Sequence, residues 1–241
     1  MRQRIVAVAA TVLALVATSP VFPPGTLRAQ GAERPSMRAD SILTRAGERY
    51  RRIHSFCAHF SQERIVPLLH QTTRSEGELC EMQPAYFAMD FTEPDGDRVV
   101  ADGRYLWMYY PSMSPDQVMR TRLEGTSGGA LDFQREFLED AENRFRVTYQ
   151  GRDSVTGRAT HALELEPRED RGYRKARVWL EVDRGLIRKV EITEENGSVR
   201  RVVLSDIRLN PELEPSHFQF TPPPGTRILD RSGAGVPGRG R

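Results

Sequence analysis

The chain has 241 residues, of which 38% are hydrophobic, with 35 Lys and Arg against 33 Asp and Glu and with two cysteines. This length predicts one domain with additional segments. The ordinary hydrophobic content excludes a disordered chain and a polytopic membrane protein. The basic residues are spread along the chain and balanced by acids, so we expect no binding of nucleic acid.

The N-terminus has the pattern of a secretory signal peptide. A short basic stretch, Met1–Arg4, precedes the uncharged apolar run Ile5–Ala17. This run is too short for a membrane-spanning helix and has the length of a signal-peptide core. We predict a signal at residues 1–29, with cleavage after Ala29 or, alternatively, after Ala17. No cysteine lies near either site, so we expect a soluble extracytoplasmic protein without an N-terminal lipid anchor.

After the signal, the sequence predicts a polar linker over residues 30–38, one domain over residues 39–230 and a Gly/Pro/Arg-rich tail over residues 231–241. The domain begins with an amphipathic helix. From Asp40 to Ile53 the apolar side chains recur at helical spacing, and Asp40 is the expected N-cap.

Beyond this helix the apolar residues alternate with polar ones, as in strands with one buried face. Turn sequences such as Asn196-Gly197 separate the segments. Strands are predicted around Phe56–Phe60, Tyr86–Phe91, Val99–Val100, Tyr105–Tyr110, Arg144–Tyr149, Leu163–Glu166, Val178–Asp183, Leu186–Ile192 and Val199–Leu209. The pattern indicates an antiparallel meander of about ten strands.

A glycine-rich break, Gly125–Gly129, precedes a second amphipathic stretch. Its apolar residues fall on one helical stripe: Ala130, Leu131, Phe133, Phe137, Leu138 and Ala141. Two short helices are therefore the segments available to cover the concave apolar face of the sheet. They either complete an ordinary core or leave a cavity for an apolar ligand.

The residues carry no recognisable catalytic or metal-binding pattern. Motifs of serine hydrolases, zinc proteases and nucleotide-binding loops are absent from the sequence. The histidines have no metal-ligand spacing; they are His54, His59, His70, His161 and His217. We expect no cofactor and no enzymatic activity.

Cys57 and Cys80 lie in two consecutive strand-like segments on either side of Pro67–His70. A hairpin centred between Leu68 and Leu69 would place the two cysteines opposite each other. In an oxidising compartment this arrangement predicts a disulfide. The alternative is a pair of unlinked thiols, or a register in which they do not meet.

Four stretches of the chain occur in an order typical of a known family. They are Ser55–Gln62, the segment from Gly77 through Pro84-x-x-Phe87, Val100–Pro111 and Phe218–Gly225. Their order and spacing resemble the LolA family of periplasmic outer-membrane lipoprotein carriers. The resemblance implies a mainly β fold with short α-helices: a half-open, incomplete antiparallel β-barrel with an α-helical lid over a hydrophobic cavity.

The resemblance also implies a function. In that family the cavity takes the acyl chains of lipoproteins released by an inner-membrane ABC-type complex and passes them to an outer-membrane acceptor. We therefore expect a periplasmic carrier with acylated lipoproteins and these two membrane partners as its contacts, acting as a monomer. A lipid or glycolipid carrier, or a lipid-sensing regulatory protein of the same half-barrel fold, is the alternative.

Strand parity and the helical stripe indicate which residues would form this cavity. The predicted lining is Leu79, Phe87, Met89, Phe91, Leu106, Met108, Val147, Leu163, Leu165, Val178, Leu180, Val190 and Ile192. The predicted lid residues are Leu131, Phe133, Phe137 and Leu138. An ordinary core position is the alternative for each, because a bulge reverses parity.

One position departs from the family pattern. The residue before the Pro of Pro-x-x-Phe is an arginine in well-known members, where it bonds to the lid backbone and holds the empty cavity closed. Here it is Gln83. An uncharged amide forms weaker hydrogen bonds than a guanidinium, so the resemblance implies a looser lid.

Overall fold

The computed structural model describes residues 35–123 and 133–232. The predicted signal peptide, Leu131 and residues 233–241 of the tail lie outside these ranges. The helices are α1 (Pro35–Tyr50), α2 (Phe133–Leu138) and α3 (Ala141–Arg144). The strands are β1 (Ser55–Val66), β2 (Gln71–Met82), β3 (Tyr86–Glu93), β4 (Arg98–Asp102), β5 (Tyr105–Tyr109), β6 (Gln117–Arg122), β7 (Phe145–Val155), β8 (Arg158–Pro167), β9 (Tyr173–Glu181), β10 (Ile187–Glu194), β11 (Val199–Leu209) and β12 (Arg227–Asp230).

The twelve strands of the described residues form one sheet in the order β12-β6-β5-β4-β3-β2-β1-β11-β10-β9-β8-β7. Neighbours are antiparallel except for β12, which runs parallel to β6. Because β12 and β7 are the two edges of this order, the sheet is open. The predicted fold class, a mainly β protein with an incomplete barrel and short helices, is confirmed.

Both predicted helices form, but their limits differ from the prediction. Helix α1 begins at Pro35, so Asp40 lies inside the helix and is not its N-cap. Proline suits the first turn of a helix because its fixed φ and its missing N–H cost nothing there. The second helix is interrupted at Asp140, whose φ of 52° is left-handed, and it continues as α3. Strands β6 and β12 were not predicted.

The hairpin of β1 and β2 has the predicted register. Cys57 pairs with Cys80 across the strands, and the two form a disulfide. The disulfide lies in a small apolar cluster with Ala88, Val100 and Phe218. Phe218 comes from a short 3₁₀ helix, so the C-terminal segment covers this side of the sheet.

The main core lies on the other face of the sheet, beneath the helices. Helix α1 contributes Ala39, Leu43 and Ala46 to it. The two helices approach closely at Gly47, where a Cβ atom would lie 2.6 Å from the carbonyl oxygen of Leu138. A glycine at this position therefore permits the packing of α1 on α2.

Candidate functional site

The predicted lining residues share one face of the sheet and one apolar cluster. Leu106 and Met108 are half-buried at its margin, and the others are buried within it. Opposite residues in the ladder confirm that the parity holds from strand to strand, as in Leu163 with Val178 and Val178 with Val190. The structure thus brings all thirteen together, while their role as the lining of a lipid cavity stays a prediction.

The described lid residues pack onto this cluster. Phe133, Phe137 and Leu138 are buried. The ring centroid of Phe137 lies 6.0 Å from that of Phe145 and 6.2 Å from that of Tyr173. In this structure the described apolar side chains contact each other and the helices.

Helix α2 carries a buried acid that sequence reasoning missed. The side chain of Glu136 is 3% exposed and accepts hydrogen bonds from Arg144 Nη2 at 2.6 Å and Tyr173 Oη at 2.7 Å. Arg171 Nη1 lies 3.6 Å from the same carboxylate. We call these four residues the Glu136 cluster. The sequence feature that could have identified Glu136 is its spacing of three residues from Phe133, which places it beside the apolar stripe.

The Glu136 cluster affects the titration of its tyrosine. Burial, followed by the hydrogen bond to Glu136, raises the pKa of Tyr173 far above its ordinary value. The phenol therefore stays protonated and remains a donor to the carboxylate. Together with the two arginines it satisfies the charge of an acid that would otherwise be costly to bury.

A second polar attachment of α2 reaches the turn between β2 and β3. Arg135 Nη2 donates to the carbonyl oxygen of Pro84 at 2.6 Å, and Arg135 Nε donates to Glu139 at 3.1 Å. Gln83 lies beside this contact. Its Nε2 donates to the carbonyl oxygen of Ile53 at 2.8 Å, in the connection between α1 and β1. Its effect on lid closure stays a prediction.

These contacts border a pocket of about 360 Å³, which we call the seam pocket. It lies between the end of α1, the β2–β3 turn and the outer side of α2, and it has apolar and charged walls. Its lining includes Tyr50, Ile53, Met82, Gln83, Pro84, Arg135 and Glu139. The pocket therefore lies where α2 meets the turn between β2 and β3.

At the other end of α2, a half-buried arginine lies against the helix. Arg200 on β11 has its guanidinium carbon 5.7 Å from the centroid of the Phe133 ring. Burial lowers its pKa, against the opposing effect of Glu194. Burial likewise raises the pKa of Tyr110. The margin of the apolar cluster is therefore partly polar at this end.

Within residues 35–123 and 133–232, no group of three or more His, Cys, Asp or Glu side chains is arranged to hold a metal ion. The two cysteines are joined to each other. No helix in these ranges is long and apolar enough to cross a membrane. The described residues form an apolar interior with a helical cover.

Comparison with known proteins agrees with this geometry. Residues 51–221 match the family model "Outer membrane lipoprotein carrier protein LolA". An outer-membrane lipoprotein carrier protein of Pectobacterium carotovorum is 29% identical over 185 residues, which cover 76% of this chain and 85% of that protein. One from Methylobacillus flagellatus is 27% identical over 227 residues, covering 94% and 98%.

A solved structure shows the same fold. An uncharacterized conserved protein from Thermus thermophilus superimposes with a TM-score of 0.53 at 11% identity and covers 80% of this chain and 99% of that protein. The family match extends over most of the chain and over every strand from β1 to β11. The chain belongs to the LolA family of outer-membrane lipoprotein carrier proteins.

Proposed function

We propose that the protein is a periplasmic carrier that encloses the acyl chains of lipoproteins between its concave sheet face and α2. In this proposal it receives them from an inner-membrane ABC-type release complex and delivers them to an outer-membrane acceptor, acting as a monomer. Membership of a carrier family makes it a binding protein and not an enzyme.

One observation carries this proposal: among the residues that the structure describes, helices and not a second sheet cover the apolar face of the open sheet. Transfer of acyl chains through water costs about 0.8 kcal/mol for each exposed methylene group, so a carrier must provide an apolar surface. A helical cover with a few polar attachments can separate from the sheet without breaking any strand pairing. Loading and release then need no unfolding.

The cargo is identified by what the protein carries when it is purified from the periplasm of its host. Mass spectrometry of the extracted ligand should find triacylated protein. Free phospholipid or glycolipid would favour the alternative carrier, and a regulatory protein in place of lipid would favour the sensor. A protein that is empty and takes up no lipoprotein from spheroplasts in a release assay would contradict the proposal.

The position of the cargo is tested by two neighbouring residues on opposite faces of β5. Met108 belongs to the concave cluster, whereas Tyr109 contacts Phe220 on the other side of the sheet. Both are half-buried, so a photo-crosslinking amino acid should be tolerated at either position. We expect cross-links to lipoprotein from position 108 and not from position 109. The reverse pattern would exclude the concave face.

A further inference from the structure

The hairpin of β1 and β2 ends in an exposed apolar tip, which we define as Pro67–His70. Leu68 is 86% exposed and Leu69 is 61% exposed. The short 3₁₀ helix at the tip buries none of its residues, and the hydrogen bond from His70 N to the carbonyl oxygen of Pro67 closes the turn. Two adjacent exposed leucines need an explanation, because their exposed side chains contribute nothing to the stability of the fold.

The tip extends beyond the sheet on one side. Pairing of β2 with β3 begins at Glu76, so Gln71–Ser75 has no neighbour on that side. At roughly 3.3 Å per residue, this overhang is about 16 Å long. The tip can therefore reach a flat surface before the β3 side of the sheet does.

A second apolar turn lies at the same end of the sheet. In an antiparallel meander the β1–β2 and β5–β6 connections lie at the same end of the sheet. Met113, in the β5–β6 connection, is 78% exposed. Ser112 fixes this turn by donating from its backbone N and its Oγ to Asp97. Two ordered turns at one end thus present large apolar side chains.

The tip itself carries no Asp, Glu, Lys or Arg, while the β10–β11 turn beside Ile65 contains Glu194 and Glu195. Residues 65–73 contain no Asp, Glu, Lys or Arg, and neither do residues 105–115, although 28% of the chain is charged. Behind the tip stand Arg64 and Arg74, whose side chains are 51% and 77% exposed and form surface ion pairs with Glu194 and Glu63. Arg64 precedes the end of β1 by two residues, or roughly 7 Å along the strand.

This arrangement matches the cross-section of a lipid interface. Apolar side chains of peripheral proteins enter roughly 5–10 Å into the boundary between headgroups and acyl chains, while arginines remain at the headgroup level. A charged protein partner would instead be expected to meet complementary charges on the tip, and the tip has none. We propose that the apolar tip Pro67–His70 contacts a lipid bilayer surface directly by inserting Leu68 and Leu69.

The test is flotation of the full chain with vesicles of phosphatidylcholine containing a minor fraction of phosphatidylglycerol. The wild type is compared with the double variant Leu68→Ser/Leu69→Ser and with the control Leu209→Ser. Leu209 is a 39%-exposed leucine that pairs with Phe56 at the opposite end of the sheet. All proteins keep the same N-terminus, so any contribution of residues 1–29 to binding is common to them.

We expect the double variant to lose vesicle binding by about tenfold or more, and the control to bind like the wild type. Binding should persist at high salt, because it rests on apolar insertion and not on screened charges. Equal flotation of the double variant, no flotation of the wild type, or flotation that requires membrane proteins in the vesicles would overturn the proposal.

A fluorescent reporter checks the site of contact. Leu68→Trp should shift its emission to the blue when vesicles are added and should be quenched by brominated lipid, whereas Leu209→Trp should not change. Because the tip buries nothing, thermal unfolding and uptake of an acyl dye should be the same in all variants. This proposal is therefore tested independently of the proposed carrier function.

Discussion

Arg135 on α2 donates a hydrogen bond from Nη2 to the carbonyl oxygen of Pro84, 2.6 Å away. This bond joins the lid helix to the turn between β2 and β3, next to Gln83. The cation therefore lies on α2, and the acceptor lies in the turn between β2 and β3. The resemblance implied an arginine at the position of Gln83, before this proline, whereas the cation of the observed contact lies on α2.

Replacement of this arginine should loosen the lid. We expect Arg135→Gln to weaken the closed state by about 1 kcal/mol and to speed the uptake of an apolar fluorescent dye roughly fivefold. Stopped-flow fluorescence measures the rate. Arg146→Gln is the control, because Arg146 is an exposed arginine on β7 whose carboxylate partner lies 3.6 Å away. Equal rates in the two variants would contradict a role for the Arg135–Pro84 bond.

Replacement of Gln83 by arginine should slow dye uptake, in contrast to Arg135→Gln. In Gln83→Arg a guanidinium replaces the amide that now donates to Ile53, and a charge-assisted bond to this carbonyl is stronger. We expect slower dye uptake and a tighter closed state than in the wild type. Gln83→Glu has the same length but no N–H to donate, and it should take up dye faster. Identical rate and affinity in the wild type and Gln83→Arg would refute the prediction.

The Glu136 cluster should contribute to global stability as well as to closure. Glu136→Gln leaves Arg144 and Arg171 without a carboxylate in a buried site, and such losses cost about 3 kcal/mol. Denaturant titration measures the free energy of unfolding. The control is Glu166→Gln, because Glu166 is an exposed acid paired with Arg146, and it should cost less than about 1 kcal/mol. Similar losses of unfolding free energy in both variants would contradict a specific stabilising role of the Glu136 cluster.

The raised pKa of Tyr173 predicts that the folded state becomes less stable at alkaline pH. Its pKa is raised in the folded protein, so the native state keeps the phenol proton at pH values where the unfolded chain loses it. The stabilisation is complete below the ordinary tyrosine value of about 10 and declines as the pH rises above it. Tyr110, whose pKa is also raised, acts in the same direction.

The variant Tyr173→Phe removes the larger of these two titrations. Its free energy of unfolding should fall less steeply above pH of about 10 than that of the wild type, with a residual slope from Tyr110. Denaturant titrations across this range provide the comparison. A wild-type slope in the variant would show that Tyr173 ionises equally in both states.

Much of the fold could be predicted because it depends on local patterns. Period-two alternation identified the long strands, and the turn at Leu68-Leu69 was enough to pair Cys57 with Cys80. Strand β6 was missed because polar and basic residues dominate it, and β12 because it has only four residues and depends on β6 for its pairing. Helix α1 started early because Pro35 can begin a helix.

The candidate site divides in the same way. Parity along each strand correctly grouped the thirteen apolar residues on one face, because successive side chains alternate regardless of distant contacts. The partners of Arg135, Glu136 and Gln83 did not follow from any local pattern. Each bonds to a residue 8 to 51 positions away in the chain. Docking of α2 forms the bonds of Arg135 and Glu136, and the approach of the β2–β3 turn to the end of α1 forms that of Gln83.

The sequence by itself determined the class of fold, the hairpin that carries the disulfide and the apolar face of the sheet, since these depend on backbone periodicity and turn chemistry. Only the tertiary structure decided that the helices pack on the apolar face, that a buried carboxylate on α2 bonds to Arg144 and Tyr173, and that the leucines of the hairpin tip are exposed at one end of the sheet. Those features arise from how separate elements pack, and packing depends on the whole chain at once.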